Sequence, residues 1–201
     1  TDNNGHRWCI VMSHESHNHP SQIVPYEGAA TGVGGNVRDV LCMGAEVIAV
    51  TDSFRFGDIN NNKTKWIHDG VVAGVAGYGN PLGIPNMGGD LYYHEGYNEN
   101  CLVTLVTLGI VKEDDIIHSY APKNADGYDL ILLGKPTDNS GFGGASFASL
   151  ELEEEKKEQN KGAVQEPNAF LERHLLKSSY ALFNILKEKG LINNIGFKDL
   201  G

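Results

Sequence analysis

The sequence predicts a mixed α/β fold in which helices cover one side of a sheet. Short apolar runs such as residues 8–12 and 130–133 are typical of buried strands. Residues 67–75 instead carry isoleucine and valine at helical spacing. The 25 glycines fall in short clusters between these segments, as expected for tight turns or for backbone that approaches a ligand closely.

The first unit along the chain is predicted to run strand, polar loop, glycine turn, helix, strand. After the first strand, Pro20 and Pro25 are expected to keep the polar stretch out of a helix. The glycines between residues 28 and 35 are expected to form a turn. The helix that follows ends at Gly44, and residues 46–54 form the next strand.

The middle of the chain predicts a polar loop, a helix and a β-hairpin. Residues 60–65 form the loop. The helix after it carries four apolar side chains on one face, Ile67, Val71, Val72 and Val75. Residues 90–94 and 101–111 are expected to pair as the two strands of the hairpin.

The last third predicts a second, glycine-rich α/β unit. Breaks between Pro122 and Asp126 divide the chain into an N-terminal domain, residues 1–122, and the start of a C-terminal-type domain, residues 126–201. A strand at residues 130–133 opens the second unit, and a long helix closes it at Gly190. The apolar face of that helix is predicted to consist of Phe170, Leu171, Leu175, Leu182, Phe183 and Leu186.

Charge and cysteine content narrow the function classes. The net charge of −10 argues against a nucleic-acid partner. No apolar stretch approaches the roughly 18 residues of a membrane span, so no membrane partner is expected. The scattered cysteines Cys9, Cys42 and Cys101 favour a reducing compartment, and we expect a cytoplasmic protein. An acidic chain that binds phosphates needs a cation or a helix N-terminus at its site.

The stretch SHESHNHPSQ, residues 13–22, concentrates polar and titratable side chains directly after a predicted strand. The spacing of His14, His17 and His19 permits a zinc site, and hence a zinc-dependent hydrolase. If the strand continues toward Pro20, His14 points away from the other two histidines. A polar loop without a function is the plain alternative. The density of donors and acceptors at the end of a strand favours a functional site.

A third interpretation joins this loop to the glycines that follow it. Glycines before a helix can expose backbone N–H groups to an anion such as a nucleotide phosphate. Arg38 can pair a phosphate, while Asp39 with Glu15 can hold Mg²⁺. Taken alone, Arg38 and Asp39 also fit a surface ion pair. The glycines that could contact a nucleotide in this way are Gly32, Gly34 and Gly35.

The segment ESHNHPSQIVPYEGAATGVGGNVRDVLCMGA is very similar to the signature region of the phosphoribosylformylglycinamidine synthases. The similarity continues through DGVVAGVAGYGNPLGIPNMGGD, GASFAS and QEPNAFLERHLLKS, so it covers essentially the whole chain. It implies the fold of aminoimidazole ribonucleotide synthetase relatives, in which the sheets of two such units pair into a barrel. The chain corresponds to the N-terminal portion of that family's synthetase unit.

The resemblance implies an ATP-dependent C–N ligase of purine biosynthesis. Such enzymes convert formylglycinamide ribonucleotide to its amidine, with Mg²⁺ and ATP as cofactors and ammonia supplied from glutamine by a glutaminase domain or subunit. The isolated 201-residue chain is expected to lack this activity. A homodimer, or the remainder of a synthetase chain, is expected to cover its sheet.

The resemblance also implies a role for each residue of the site. His17 lies at the family's general acid–base position and among its substrate contacts, and Arg38 resembles a contact to the substrate phosphate. The other implied substrate-binding residues are Ser16, Asn18, His19 and Gln165. The implied Mg²⁺ ligands are Glu15, Asp39 and Asp199. The implied nucleotide-side glycines of GFGGAS are Gly143 and Gly144.

Two residues depart from the family pattern. Ser13 stands where the family commonly has an ATP-contacting lysine, and His14 replaces an apolar residue. A degenerate, non-catalytic copy therefore stays an alternative to the ligase. The other two alternatives are an aminoimidazole ribonucleotide synthetase-like ligase and the zinc hydrolase.

Overall fold

A computed structural model describes residues 1–136, 139–143 and 162–200 of the chain. Its centre is a four-stranded sheet in the order β1-β4-β2-β3. The strands are β1 (Trp8–Ser16), β2 (Glu46–Phe56), β3 (Asn86–Tyr93) and β4 (Leu102–Lys112). The longer helices are α1 (Asn18–Ile23), α2 (Pro25–Cys42), α3 (Asn62–Leu82) and α4 (Ala169–Glu188). Short 3₁₀ helices lie at Glu95–Tyr97, Glu113–Asp115 and Ile192–Asn194.

Strand β4 lies inside the sheet, antiparallel to β1 and β2, while β3 lies at the edge, parallel to β2. The predicted hairpin is therefore wrong, because residues 90–94 and 101–111 belong to strands that β2 separates. The connection from β2 to β3 runs through α3, and a crossover helix of this kind makes two neighbouring strands parallel. The chain then returns through Glu95–Tyr97 and places β4 between β1 and β2.

Helices cover one face of the sheet, as the sequence predicts. In β4 the inward side chains of Val103, Leu105 and Val111 are at most 2% exposed, and the alternate residues are partly exposed. Strand β1 alternates in the same way, so that Ile10 and Met12 are 78% and 62% exposed. We call the side of the sheet that carries Ile10 and Met12 the outer face.

Helix α2 begins at Pro25, well before its predicted start, so the predicted glycine turn is wrong. Pro20 also lies inside a helix, in the first turn of α1. Proline is tolerated at these positions because the first N–H groups of a helix have no partner within it. Gly28 is needed for packing, since a Cβ there would lie 2.5 Å from the backbone nitrogen of Ser21. Gly44, at φ +79°, follows the end of α2 as predicted.

Helix α3 confirms the predicted helix but begins inside the predicted polar loop. Asn61 caps it, because its side chain accepts a hydrogen bond from the N–H of Lys63 at 2.9 Å. Ile67 and Val71 are buried as predicted, whereas Val72 is 45% exposed, so its predicted place on the buried face is wrong. The remaining member of that face, Val75, packs partly buried against the core.

Helices α2 and α3 contact each other through glycines. Tyr26 of α2 lies so close to α3 that a Cβ on Gly74 would collide with its backbone oxygen and a Cβ on Gly77 with its hydroxyl. From the other side, a Cβ on Gly34 of α2 would lie 2.9 Å from the ring of Tyr78 in α3. Glycine at these positions therefore sets the distance between the two helices.

Helix α4 is the long helix that the sequence predicts, and Gly190, at φ +66°, follows its end. Its buried face differs from the predicted one, since Phe170 is 76% exposed. Packing against α3 determines which side chains of α4 are buried. These are Glu172, Leu176, Ser179 and Phe183. Neither α4 nor any other helix of the described residues is long and apolar enough to cross a membrane.

The predicted strand at residues 130–133 is wrong. All four side chains, those of Leu130, Ile131, Leu132 and Leu133, are more than half exposed, and the backbone there is irregular. A strand needs a neighbouring strand for its backbone hydrogen bonds. The sheet of the described residues contains β1 to β4 alone, so this segment has no such neighbour there.

We predict that Gly74→Ala destabilises the protein although alanine favours helices. The added methyl group meets the backbone oxygen of Tyr26, so the free energy of unfolding should fall by about 1–3 kcal/mol. Gly79→Ala in the same helix is the matched control, because its Cβ would have its nearest neighbour at 3.9 Å. Its stability should rise by up to about 1 kcal/mol. Urea unfolding measures both variants, and equal changes would contradict the packing argument.

Candidate functional site

The loop after β1 is held against the start of β4. The backbone N–H of His17 donates to the carbonyl oxygen of Val103 at 2.8 Å, and the Oδ1 of Asn18 accepts from the N–H of Val103 at 2.8 Å. The Oε1 of Gln22 accepts from the backbone N–H of Cys101 at 2.9 Å. The side chain of Asn18, a predicted substrate contact, thus already serves to fix the loop on the sheet.

Glu15 and His17 form a polar pair at the end of β1. The Nε2 of His17 lies 3.3 Å from the Oε2 of Glu15, and both side chains are partly buried. The hydrogen bond from His17 lowers the pKa of Glu15 below its usual value, so the carboxylate stays charged. The Nδ1 of His17 is buried and has no hydrogen-bond partner among the described residues. A carboxylate that orients an imidazole is an arrangement suited to a general base.

Asp39 of α2 lies beside Glu15. The hydroxyl of Ser13 donates a hydrogen bond to the Oδ2 of Asp39 at 2.9 Å, which gives this unusual serine a partner in the site. Burial raises the pKa of Asp39 above its usual value, and repulsion from Glu15 adds to the effect. Two adjacent carboxylates of this kind fit a hard divalent cation such as Mg²⁺.

Arg38 belongs to a buried network of ion pairs. Its Nη1 donates to the Oε2 of Glu172 at 2.8 Å, and its Nε donates to the Oδ1 of Asp199 at 2.9 Å. The hydroxyl of Tyr78 lies 3.5 Å from the same Oε2. Burial by itself lowers the pKa of Arg38, but the two carboxylates raise it above its usual value. Nothing in the sequence pattern indicates Glu172 or Tyr78, because both lie on helix faces that only packing defines.

A cavity of about 370 Å³ opens beside His17. It brings together five residues that the sequence predicts to contact substrate, namely Ser16, His17, Asn18, His19 and Gln165. The lining residues that sequence reasoning missed are Pro20, Thr31, Gly141, Ala163 and Val164. The lining comes from distant parts of the chain, so the cavity exists only through the tertiary fold.

The glycines at positions 32, 34 and 35 lie within α2, where their N–H groups belong to the helix. The predicted anion-binding turn is therefore wrong. Gly32 and Gly35 instead let His17 and Glu15 approach the helix, while Gly34 gives room to Tyr78 of α3. A Cβ on Gly32 would lie 3.1 Å from the Cγ of His17, and a Cβ on Gly35 would lie 3.3 Å from the Oε2 of Glu15.

Four other predicted site residues lie outside the cavity lining or outside the described residues. Arg38 and Asp199 pair with each other instead of lining the cavity. Gly143, at φ +76°, lies in a turn near the cavity residue Gly141 along the chain but is not part of the lining. Gly144 lies outside the described residues.

The three histidines of residues 13–22 do not converge. His14 is exposed on the outer face of β1, whereas His17 and His19 line the cavity. In the part of the chain that the structure describes, no three or more His, Cys, Asp or Glu side chains are arranged to hold a metal ion. Glu15 and Asp39, two of the predicted Mg²⁺ ligands, lie together, and Arg38 engages the third, Asp199.

Comparison with known proteins identifies relatives over nearly the whole chain. The family model described as AIR synthase related protein, N-terminal domain, matches residues 3–111. Phosphoribosylformylglycinamidine synthase subunit PurL of Methanothrix thermoacetophila is 54% identical over 199 residues, which span 96% of this chain and 26% of the relative. The PurL subunit of Pyrococcus abyssi is 43% identical over 192 residues, with the same two coverages. The chain thus spans about a quarter of the length of these relatives.

Solved structures from Thermotoga maritima share the fold. PurL complexed with FGAR has a TM-score of 0.75 at 35% identity, covering 89% of this chain and 28% of that chain. PurL complexed with ATP has a TM-score of 0.67 at 31% identity, covering 89% and 25%. The structure of PurLQS has a TM-score of 0.68 at 32% identity, covering 96% and 27%. The predicted mixed α/β fold and the predicted relationship are confirmed.

We predict that Asp39→Asn raises stability at neutral pH. Burial and the charge of Glu15 raise the folded-state pKa of Asp39. The protonated side chain therefore stabilises the folded protein at low pH, and this contribution is lost as the pH rises through that pKa. The gain from asparagine should be largest near about pH 7 and shrink toward about pH 3. Thermal unfolding across this range measures it, with exposed Asp126→Asn as the control. A gain that is the same at every pH would contradict this explanation.

Proposed function

The chain belongs to the family described as AIR synthase related protein, N-terminal domain, and we propose that it is part of an ATP-dependent C–N ligase. The proposed reaction joins ammonia to formylglycinamide ribonucleotide and makes formylglycinamidine ribonucleotide in purine biosynthesis. The observation that carries the proposal is the cavity, which places residues 16–19 and Gln165 together. PurL relatives at 54% and 43% identity support it.

Formylglycinamide ribonucleotide is the proposed occupant of the cavity. A volume of about 370 Å³ is in the range of small-molecule sites. Ser16, Asn18 and Gln165 supply hydroxyl and amide groups that can hydrogen-bond to the hydroxyl, phosphate and amide groups of such a substrate. The solved complex of T. maritima PurL with FGAR, the abbreviation of this nucleotide, supports the same substrate here.

His17 is the proposed general base. The γ-phosphoryl group of ATP is first transferred to the amide oxygen of the substrate, which turns that oxygen into a leaving group. Ammonia then attacks the amide carbon, so that a C–N bond forms, the C–O bond breaks and phosphate leaves. His17 takes a proton from the attacking nitrogen. Glu15 holds the imidazole through its Nε2 and stabilises the positive charge that results.

Glu15 and Asp39 are the proposed holders of Mg²⁺. They fit such an ion because they are adjacent, and because the charged form of Asp39 is disfavoured without a compensating cation. When bound, Mg²⁺ would neutralise part of the negative charge on the phosphates of ATP. Asp199 is proposed as the third ligand, which requires that its hydrogen bond to Arg38 be exchanged.

ATP is the proposed nucleotide ligand. The solved complex of T. maritima PurL with ATP supports ATP as a ligand of this protein. Gly143 and Gly144 of the sequence segment GFGGAS are proposed nucleotide contacts. The proposed nucleotide-side residues of α2, Gly32, Gly34 and Gly35, act by close packing and not by free N–H groups. Gly32 packs next to His17, Gly35 next to Glu15 and Gly34 next to Tyr78.

The outer face is proposed to be covered by the remainder of a synthetase chain or by a second copy. Ile10, Met12 and Ile48 are exposed on the strands, and β3 is exposed along nearly its whole length. The structure of PurLQS from T. maritima supports partner subunits, and we propose that one of them supplies ammonia from glutamine. In this proposal residues 1–122 form one domain and residues 126–201 begin the next, in a cytoplasmic enzyme.

We predict that His17→Asn in the full-length enzyme lowers kcat for amidine formation by about 100-fold or more, because the proton acceptor is lost. His174→Asn is the matched control, since His174 is exposed on α4 and lies neither on the outer face nor in the cavity lining. Its kcat should stay within about twofold of wild type. Turnover with saturating ATP and ammonia measures both. Unchanged amidine formation by His17→Asn would remove this histidine from the mechanism.

We predict that the isolated chain self-associates through the outer face and does not turn over substrate. Sedimentation velocity should show a dimer or larger species, and the double variant Ile10→Lys, Met12→Lys should sediment as a monomer because buried lysines oppose association. Tyr128→Lys, at another exposed position, should leave association unchanged. A monomeric wild-type chain at high concentration would count against the proposed covering of this face.

A further inference from the structure

Helix α1 forms part of the cavity wall but cannot hold its own position. Its first turn lines the cavity through Asn18, His19 and Pro20, while its second turn, residues 21–23, is buried. With six residues it is far shorter than a helix that is stable by itself in water. The place of His19 in the cavity therefore depends on what holds the second turn against the rest of the protein.

Gln22, in the second turn of α1, binds the backbone next to β4 with both ends of its side-chain amide. Its Nε2 donates to the carbonyl oxygen of Asn98 at 3.1 Å, and its Oε1 accepts from the N–H of Cys101 at 2.9 Å. The residue is 4% exposed, so water offers these groups no alternative partner. A buried amide with both of its groups engaged is fixed in direction as well as in place.

The segment that Gln22 binds is itself held firmly. Cys101 is 1% exposed and packs in the main hydrophobic core. Asn98 is tied to the loop after β2, because its Oδ1 accepts from the N–H of Asp58 at 2.8 Å. Strand β4 begins directly after this segment, at Leu102. Gln22 thus attaches α1 to a frame that is fixed independently of α1.

Two sets of hydrogen bonds hold α1, and they act on different residues of the site. The N–H of His17 and the Oδ1 of Asn18 hold the start of the helix at Val103 of β4. Gln22 holds the second turn. Without Gln22, α1 can turn about its start, which moves His19 but leaves His17 on its bond to Val103. Loss of Gln22 should therefore weaken substrate binding and leave proton transfer intact.

We propose that Gln22 is a positioning residue, which sets the direction of α1 and so places His19 against formylglycinamide ribonucleotide. Gln22 does not line the cavity, so it acts through α1 and not by contact with the substrate. The packing of Ile23 on Val164 buries the same turn, but apolar contact is non-directional and cannot replace the two hydrogen bonds. The inference rests on the proposed function, since it takes that nucleotide as the ligand of the cavity.

The test is a double-mutant cycle in the full-length enzyme, with formylglycinamide ribonucleotide as the probe. Gln22→Met keeps a long unbranched side chain but removes both hydrogen bonds, so KM for this substrate should rise by about tenfold. Both kcat and KM for ATP should stay within about twofold of wild type. His19→Ala should raise KM by itself. In the His19→Ala background, Gln22→Met should change KM by less than about twofold, because the contact that it places is gone.

Further measurements separate positioning from a general loss of stability. Tyr180→Phe is the matched control, since it also removes a hydrogen bond between a side chain and the sheet backbone, at the N–H of Val47, and it should leave KM unchanged. Amide hydrogen exchange should accelerate at Cys101 in Gln22→Met and stay slow at His17, whose N–H is bonded to β4. Gln22→Asn is one methylene group shorter and cannot span both partners, and it enters the same cycle if Gln22→Met does not fold.

The outcomes separate this inference from the proposed function. An unchanged KM in Gln22→Met or in His19→Ala would overturn the inference, and so would independent, multiplicative effects of the two substitutions or unchanged exchange at Cys101. An equal rise in KM for ATP, or an equal rise in Tyr180→Phe, would also overturn it, because either would show a generally loosened fold. Amidine formation by these variants would leave the proposed function standing. A wild-type enzyme that makes no amidine overturns the proposed function, and the inference falls with it.

Discussion

Helix α2 can lie as close to the sheet and to α3 as it does only because glycine occupies its contact positions. A Cβ on Gly32 would lie 2.8 Å from Leu105 of β4, and a Cβ on Gly34 would lie 2.9 Å from the ring of Tyr78. A methyl group at either position would push the helix outward. Since Asp39 lies on this helix, the geometry of the whole site depends on that close approach.

The close approach has an electrostatic consequence. It brings Asp39 beside Glu15, and the repulsion adds to burial in raising the pKa of Asp39. Ser13 and His17 each give one hydrogen bond to this pair of carboxylates and offset part of the cost. A fold that tolerates such a cost is typical of a functional site, where a ligand supplies the remaining compensation.

Sequence patterns were sufficient where neighbours in the chain are also neighbours in space. The apolar spacing of α3 and α4 predicts both helices, because helical periodicity is local. Residues 16–19 follow one another at the end of β1, so grouping them at one site needed no tertiary information. Gln165 differs, since only its resemblance to a family residue joined it to that group, and the fold brings it to the same cavity.

The sequence alone determined the class of fold. It also determined the helix at each long periodic segment and the polar group around His17. The tertiary structure decided that the glycines of α2 lie in a helix rather than a turn, and that β4 enters the sheet between β1 and β2. It also decided that Arg38 pairs with Glu172. Each of these three features depends on contacts between residues far apart in the chain. Such contacts override the local propensities for helix, strand or turn, which are all that a sequence pattern reveals.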